Sequence, residues 1–202
     1  MVNRNVLDPA RTGLVVFDML ECYRDKIPTE VISRVQQLLA EFRGRQMPVC
    51  FARADHRADG ADMNRALADT DSSYETSYGP EEEQPTHFHS PPDTMAVLAE
   101  FEQGPSDYDI PKHRWNAFYQ THLDLSLRTH GVDTIAIVGG STHVGVASTA
   151  YSARDMDYDI VLVEDCCTGY QEQREHFLHK VAPRFARIRT AEQVQQMLAA
   201  GS

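Results

Sequence analysis

Unbroken apolar stretches alternate along this chain with segments whose apolar residues recur every three or four positions. Gly13-Leu14-Val15-Val16-Phe17 is continuous enough to predict a strand buried on both faces, and it stops at Asp18. Between 28 and 45, Val31, Val35, Leu38, Leu39 and Phe42 fall on one helical face, with Pro28 at the start and Gly44 near the end. Pro48-Val49-Cys50-Phe51-Ala52 predicts a second strand. Residues 55–92 then turn polar, a long excursion within one domain, because too little chain precedes it to build an independent core. A short helix is expected over 92–101, and the segment Asp107-Tyr108-Asp109-Ile110-Pro111 forms an edge that leads into Lys112-His113-Arg114-Trp115-Asn116-Ala117-Phe118.

The second half is more regular. A helix carries Leu123, Leu125 and Leu127, followed by strand 134–138, helix 142–154, strand 160–163, helix 171–181, strand 186–188 and helix 190–200. Repeated strand-helix alternation implies right-handed crossovers and an α/β fold: a parallel sheet with helices on both faces, spanning residues 1–202 as a single domain. In such sheets ligands bind beyond the carboxyl ends of the strands. Asp18, Lys112 and the 140–145 turn are all expected there.

Each of these has a chemistry and a plainer alternative. Asp18 can donate or accept a proton, with burial raising its pKa and a nearby Lys112 lowering it; alternatively it caps the next element. Lys112 can orient that acid or hold a substrate carboxylate, or be a surface lysine. Arg114 suits bidentate carboxylate binding, while Trp115 and Phe118 either line a pocket or pack in the core. The stretch Gly139-Gly140-Ser141-Thr142-His143-Val144-Gly145 reads as a tight turn into a helix N-terminus, whose N–H groups favour an anion. Ser141 and Thr142 are competent N-caps, and His143 at a helix start would tend to stay neutral and could bond substrate, or be a solvated or core-satisfied histidine. Gly145 offers no nucleophile. No Gly-x-Ser-x-Gly elbow surrounds any serine, so a serine triad is a weak reading. Asp55, His56, Asp59 and Asp62, or His87 and His89, could supply some metal ligands, but neither set has a recognised spacing, and no metal or other cofactor is expected. His176 and His179 read as a solvated helix face.

A formal charge of -11 and a pI near 5.2 oppose binding to nucleic-acid phosphates and favour a small-molecule partner. Four cysteines, Cys22, Cys50, Cys166 and Cys167, are few for 202 residues and suit a reduced cytoplasmic compartment. Neither a signal core nor a run of about 20 apolar residues points to a membrane.

Taken in order, Val16-Phe17-Asp18-Met19, the 112–118 segment, the 139–150 turn and Val161-Leu162-Val163-Glu164-Asp165-Cys166-Cys167 resemble the isochorismatase-like hydrolase superfamily, which also contains nicotinamidases and carbamoyl amidohydrolases. The resemblance implies a three-layer α-β-α sandwich with a six-stranded parallel sheet, a cis peptide joining Gly140 and Ser141, and assembly as a homodimer or homotetramer, for which helix 142–154 could serve. Amidase members use an aspartate, a lysine and a cysteine that adds to a carbonyl; alignment puts that cysteine at Gly145. Isochorismatases resemble this chain in His143-x-Gly145 and Lys112-x-Arg114, and hydrolyse a vinyl ether to release pyruvate. The chain departs from them at Ser141 and Trp115, where tyrosine is usual. It is similar to cysteine-lacking bacterial relatives with a basic-basic-Trp-x-Ala-Phe segment. The resemblance thus implies a cofactor-independent hydrolase of an enolpyruvyl ether, isochorismate or a related small carboxylate, with catalytic Asp18, Lys112 and Gly145. Arg114, Trp115, Phe118, Gly140, Ser141, Thr142 and His143 would bind substrate. The alternatives are a C–N hydrolase without a thiol and a silent binding protein.

Overall fold

The computed structural model describes residues 5–57, 61–62 and 95–201. Its strands are β1 Thr12–Phe17, β2 Val49–Ala54, β3 Tyr108–Lys112, β4 Thr134–Gly139, β5 Asp159–Cys167 and β6 Arg187–Arg189. They form one six-stranded sheet in the order β3-β2-β1-β4-β5-β6, and every pairing is parallel. The helices are α1 Thr29–Gly44, α2 Leu123–Thr129, α3 Ala147–Asp155, α4 Gln171–His176 and α5 Ala191–Ala200.

Alternation along the strands builds the three layers. Leu14 and Val16 pack with Val49, Phe51, Ala136 and Val138 against the apolar faces of α1 and α5. Val15 and Phe17 point the other way, joining Cys50, Ala52, Ile135 and Ile137 beneath α2 and α3. Strands covered on both faces have no need of polar positions, which is why β1 and β4 are buried throughout. Pro111 is accommodated because β3 is an edge strand paired only with β2. The order reverses at β1 and β4, opening the crevice between their carboxyl ends.

Four expectations are corrected. The described part of 92–101 contains no α-helix, with Ala99–Phe101 a single 3-10 turn, because its backbone bonds elsewhere: Leu98 N donates to Met19 O, and Ala96 O accepts from Glu21 N. The helix expected from 142 begins as a π-helical turn, Thr142–Val146, before α3. The helix expected over 171–181 likewise divides into α4 and a π-helical turn, Phe177–Val181. Helix α5 opens one residue later than predicted, with Thr190 as N-cap in a capping box with Gln193. All four cysteines are free, and no described helix is long and apolar enough to cross a membrane.

Candidate active site

Asp18 leaves β1 in a left-handed conformation, φ 46°, with its amide still bonded to Ala52 O at 2.8 Å. That kink aims the carboxylate across the ends of β2 and β3. Oδ1 accepts from Ala54 N at 2.7 Å, and Oδ2 accepts from Lys112 Nζ at 2.7 Å. The side chains are only 12% and 4% exposed, so the pair is largely withdrawn from water. Lys112 also sits over the Phe17 ring, 4.4 Å from its centroid. Asp18 therefore caps no following element, and Lys112 is not a surface lysine.

The turn after β4 lies beside this pair. Gly139 has φ +104° and backs onto the β1 carbonyl end, where a Cβ would stand 2.9 Å from Phe17 C; only glycine suits both conditions. Gly140 N donates to Phe17 O at 3.0 Å, and Gly140–Ser141 is cis, as the resemblance implied. Thr142 is anchored twice, its N and its Oγ1 both donating to Thr168 O at 2.9 and 2.6 Å. Neither Ser141 nor Thr142 acts as the expected side-chain N-cap: Ser141 Oγ lies 3.3 Å from His143 Nδ1, and Ser141 O receives the amides of Val144 and Val146. Among the described residues no acceptor takes the Ser141 amide, leaving a donor at the turn for an incoming oxygen. His143 is half-buried, edge-on to Tyr170, and burial pushes its pKa down, favouring the neutral imidazole. At Gly145 an added Cβ would lie 2.5 Å from Phe17 Cζ and 3.3 Å from Trp115 O.

The segment after Lys112 divides its side chains. Arg114 Nη1 donates to Asp62 O and His113 O at 2.7 and 2.6 Å, so the guanidinium holds backbone carbonyls. Trp115 is 63% exposed. Ala117 N donates to Thr149 Oγ1 at 3.0 Å, tying this segment to α3, and Phe118 is half-buried against Tyr158 with centroids 5.6 Å apart. Asp18, Lys112 and the 140–145 turn thus meet at the carboxyl edge, while Phe118 packs into the layer under α2 and α3.

A profile of the Isochorismatase domain matches residues 12–193. The chain belongs to the isochorismatase family. It is 32% identical to the uncharacterized isochorismatase family protein YecD of Escherichia coli O157:H7, over 95% of this chain and 98% of that one. The structure of an isochorismatase family protein from Burkholderia thailandensis superposes with a TM-score of 0.81 at 26% identity, covering 96% of this chain and 98% of that one. A shorter similarity, 34% over 70 residues, relates 35% of this chain to 31% of the ureidoacrylate amidohydrolase RutB of Agrobacterium fabrum. The protein is accordingly a hydrolase of the isochorismatase family.

Sequence reasoning missed two features of this isochorismatase-family site. One is the Ala54 amide, which carries no side-chain signal. The other is the grouping of His56, Asp62 and His113, whose potential ligand atoms lie within 4.8 Å of one another. His56 and Asp62 are among the sequence candidates, but His113 arrives from the far end of the excursion, bonded through Nδ1 to Asp55 O. Two imidazoles and a carboxylate form a donor set that could hold a divalent transition metal. In the structure they pair with each other, Asp62 lying 3.5 Å from His56 Nδ1 and 3.3 Å from His113 Nδ1. Burial pushes the His56 pKa down. Asp59, His87 and His89 lie outside the described residues, as does most of the polar excursion 55–92.

Proposed function

We propose that this chain hydrolyses the enolpyruvyl ether of isochorismate or a related small carboxylate, with Asp18 as the general acid and no cofactor in the step. One observation carries the reading: Asp18 is bonded to Lys112 at 2.7 Å beside a turn whose residue 145 has neither a side chain nor room for one. A placed acid with no thiol at residue 145 suits bonds broken by protonation. Protonated Asp18 gives its proton to the terminal methylene carbon of the enol ether, leaving an oxocarbenium at the ether carbon. Water adds there and loses a proton that restores Asp18, and the hemiketal collapses to pyruvate and the free alcohol. Lys112 and the Ala54 amide hold the carboxyl group in place throughout. The donor at Ser141 and the neutral imidazole of His143 are available for substrate oxygens.

The test is pyruvate release from isochorismate, read by coupled lactate dehydrogenase. Loss of roughly 10²-fold or more is expected in Asp18→Asn, and no release above that variant sinks the substrate assignment. A second reading, hydrolysis of an amide or ureido C–N bond by water, is favoured by the stretch similar to ureidoacrylate amidohydrolase; ammonia release from an amide or ureido compound, with no pyruvate from isochorismate, would establish it. We further propose a homodimer or homotetramer formed through the face of α3 and the 115–119 segment, where Trp115, Tyr119 and Tyr151 are exposed. Light scattering on the eluting protein tests this, and a monomer would refute it. Four free thiols support a cytoplasmic location.

A further inference from the structure

We propose that Phe17 determines the reaction class of this site, by taking the space a nucleophilic side chain at 145 would need and by seating Lys112. Phe17 is the last residue of β1, and strand alternation turns its ring toward the α2 and α3 layer, where it is 1% exposed. The ring edge fills the approach to Gly145: a Cβ there would be 2.5 Å from Cζ, with Trp115 O closing the other side at 3.3 Å. Both obstacles belong to packed groups, a buried ring and a backbone carbonyl, so neither yields cheaply. The ring face meanwhile receives the Lys112 ammonium, and Lys112 in turn holds Asp18. A single side chain thus forces glycine at residue 145, the end of the turn, and supports the acid-lysine pair. Substrates that need a protein nucleophile are excluded, and those that react by proton transfer and water addition are retained. The last clause rests on the function proposed above; the packing does not.

The experiment compares Gly145→Cys, Phe17→Val and the double variant Phe17→Val/Gly145→Cys, using urea midpoints by circular dichroism and iodoacetamide labelling followed by peptide mass spectrometry. Burial pushes the thiols of Cys22 and Cys50 up to about 11 and about 12, and those of Cys166 and Cys167 upward as well, so at pH 7 the native background is nearly silent. Gly145→Cys alone is expected to lower the midpoint by about 1 M, and adding Phe17→Val to recover at least half of that loss. In the double variant the introduced thiol should label at least tenfold faster at pH 7 than in the single variant. Its rate should titrate below the ordinary thiol value of about 8.5, because the N–H groups of the turn favour thiolate and Lys112, still bonded to Asp18 though without its ring, adds its charge. A merely structural Phe17 would not move that titration. An unchanged midpoint in Gly145→Cys, or equal labelling in the single and double variants, overturns the proposal. Failure of the unsubstituted protein to release pyruvate removes the proposed substrate while leaving these stability and labelling results readable.

Discussion

The ion pair of Asp18 and Lys112 makes a sharp energetic prediction. Replacing Lys112 by methionine keeps most of the side chain's length but strands a carboxylate that is 12% exposed, with only the Ala54 amide as its partner among the described residues, and it removes the ammonium from the face of Phe17. Removing one member of a buried pair costs about 3–5 kcal/mol, because the remaining charge must be kept out of water uncompensated. The residual exposure of Asp18 puts the expected loss near the lower bound, about 3 kcal/mol. With a urea slope of about 2 kcal/mol per M, the midpoint should fall by roughly 1.5 M. Asp18→Leu/Lys112→Met should recover much of the loss, since an apolar pair of similar volume removes both desolvation costs. The coupling between the single substitutions should therefore reach about 2 kcal/mol. Far-ultraviolet circular dichroism is the suitable probe, because the one tryptophan, Trp115, is already 63% exposed and reports folding poorly. A Lys112→Met midpoint within about 0.2 M of the parent, a margin set by extrapolation error in such titrations, would refute the argument, as would additivity of the two single changes.

Two further predictions concern titration. The Cys22 thiol, pushed up to about 11 chiefly by burial and next by the Asp18 charge, should react with Ellman's reagent only sluggishly at pH 8; all four thiols should react at once in strong urea, and a fast native equivalent would contradict the packing. Burial lowers the folded pKa of His143, and hydrogen bonds from Arg24 lower that of Glu100 to about 2. Both groups bind more protons when unfolded, so stability rises with pH through each window: the His143 contribution is complete above about 6.5 and lost as pH falls through its lowered folded value. Melting temperature should fall between pH 7 and 5, and His143→Asn should flatten that fall; an unaltered slope would exclude the assigned cause.

Some features were legible in the sequence because one stretch of residues carries them. The run from Gly13 to Phe17 reads as a buried strand since no polar position interrupts it, and Asp18 and Lys112 could be placed together because one follows and the other ends a strand of one parallel sheet. The length of α1 followed from the recurrence of Val31, Val35 and Phe42. Other features depend on approaches between distant backbone segments. The helix expected over 92–101 is absent from its described part because Met19 and Glu21 claim the backbone groups of Leu98 and Ala96. The crowding of Gly145 by Phe17 joins residues from two strands' ends, and His113 meets His56 and Asp62 only once β3 lies beside β2. Arg114 has the charge for a carboxylate, but the structure gives its guanidinium two carbonyls, which no spacing rule anticipates.

The tie between the ends of β2 and β3 has a consequence for how this site can diversify. Ala54 is in register with Lys112, and Asp55 N donates to Lys112 O at 3.0 Å, so the chain departs and returns at one clamped point that the Asp18 carboxylate also grips. Closing a loop across a clamp costs little more when the loop grows, about 0.6 kcal/mol for each doubling. Sequence between these strands, outside the 96–101 stretch that bonds Met19 and Glu21, can therefore lengthen or shorten without displacing the acid, which makes the reaction and the substrate range separately heritable traits of one molecule.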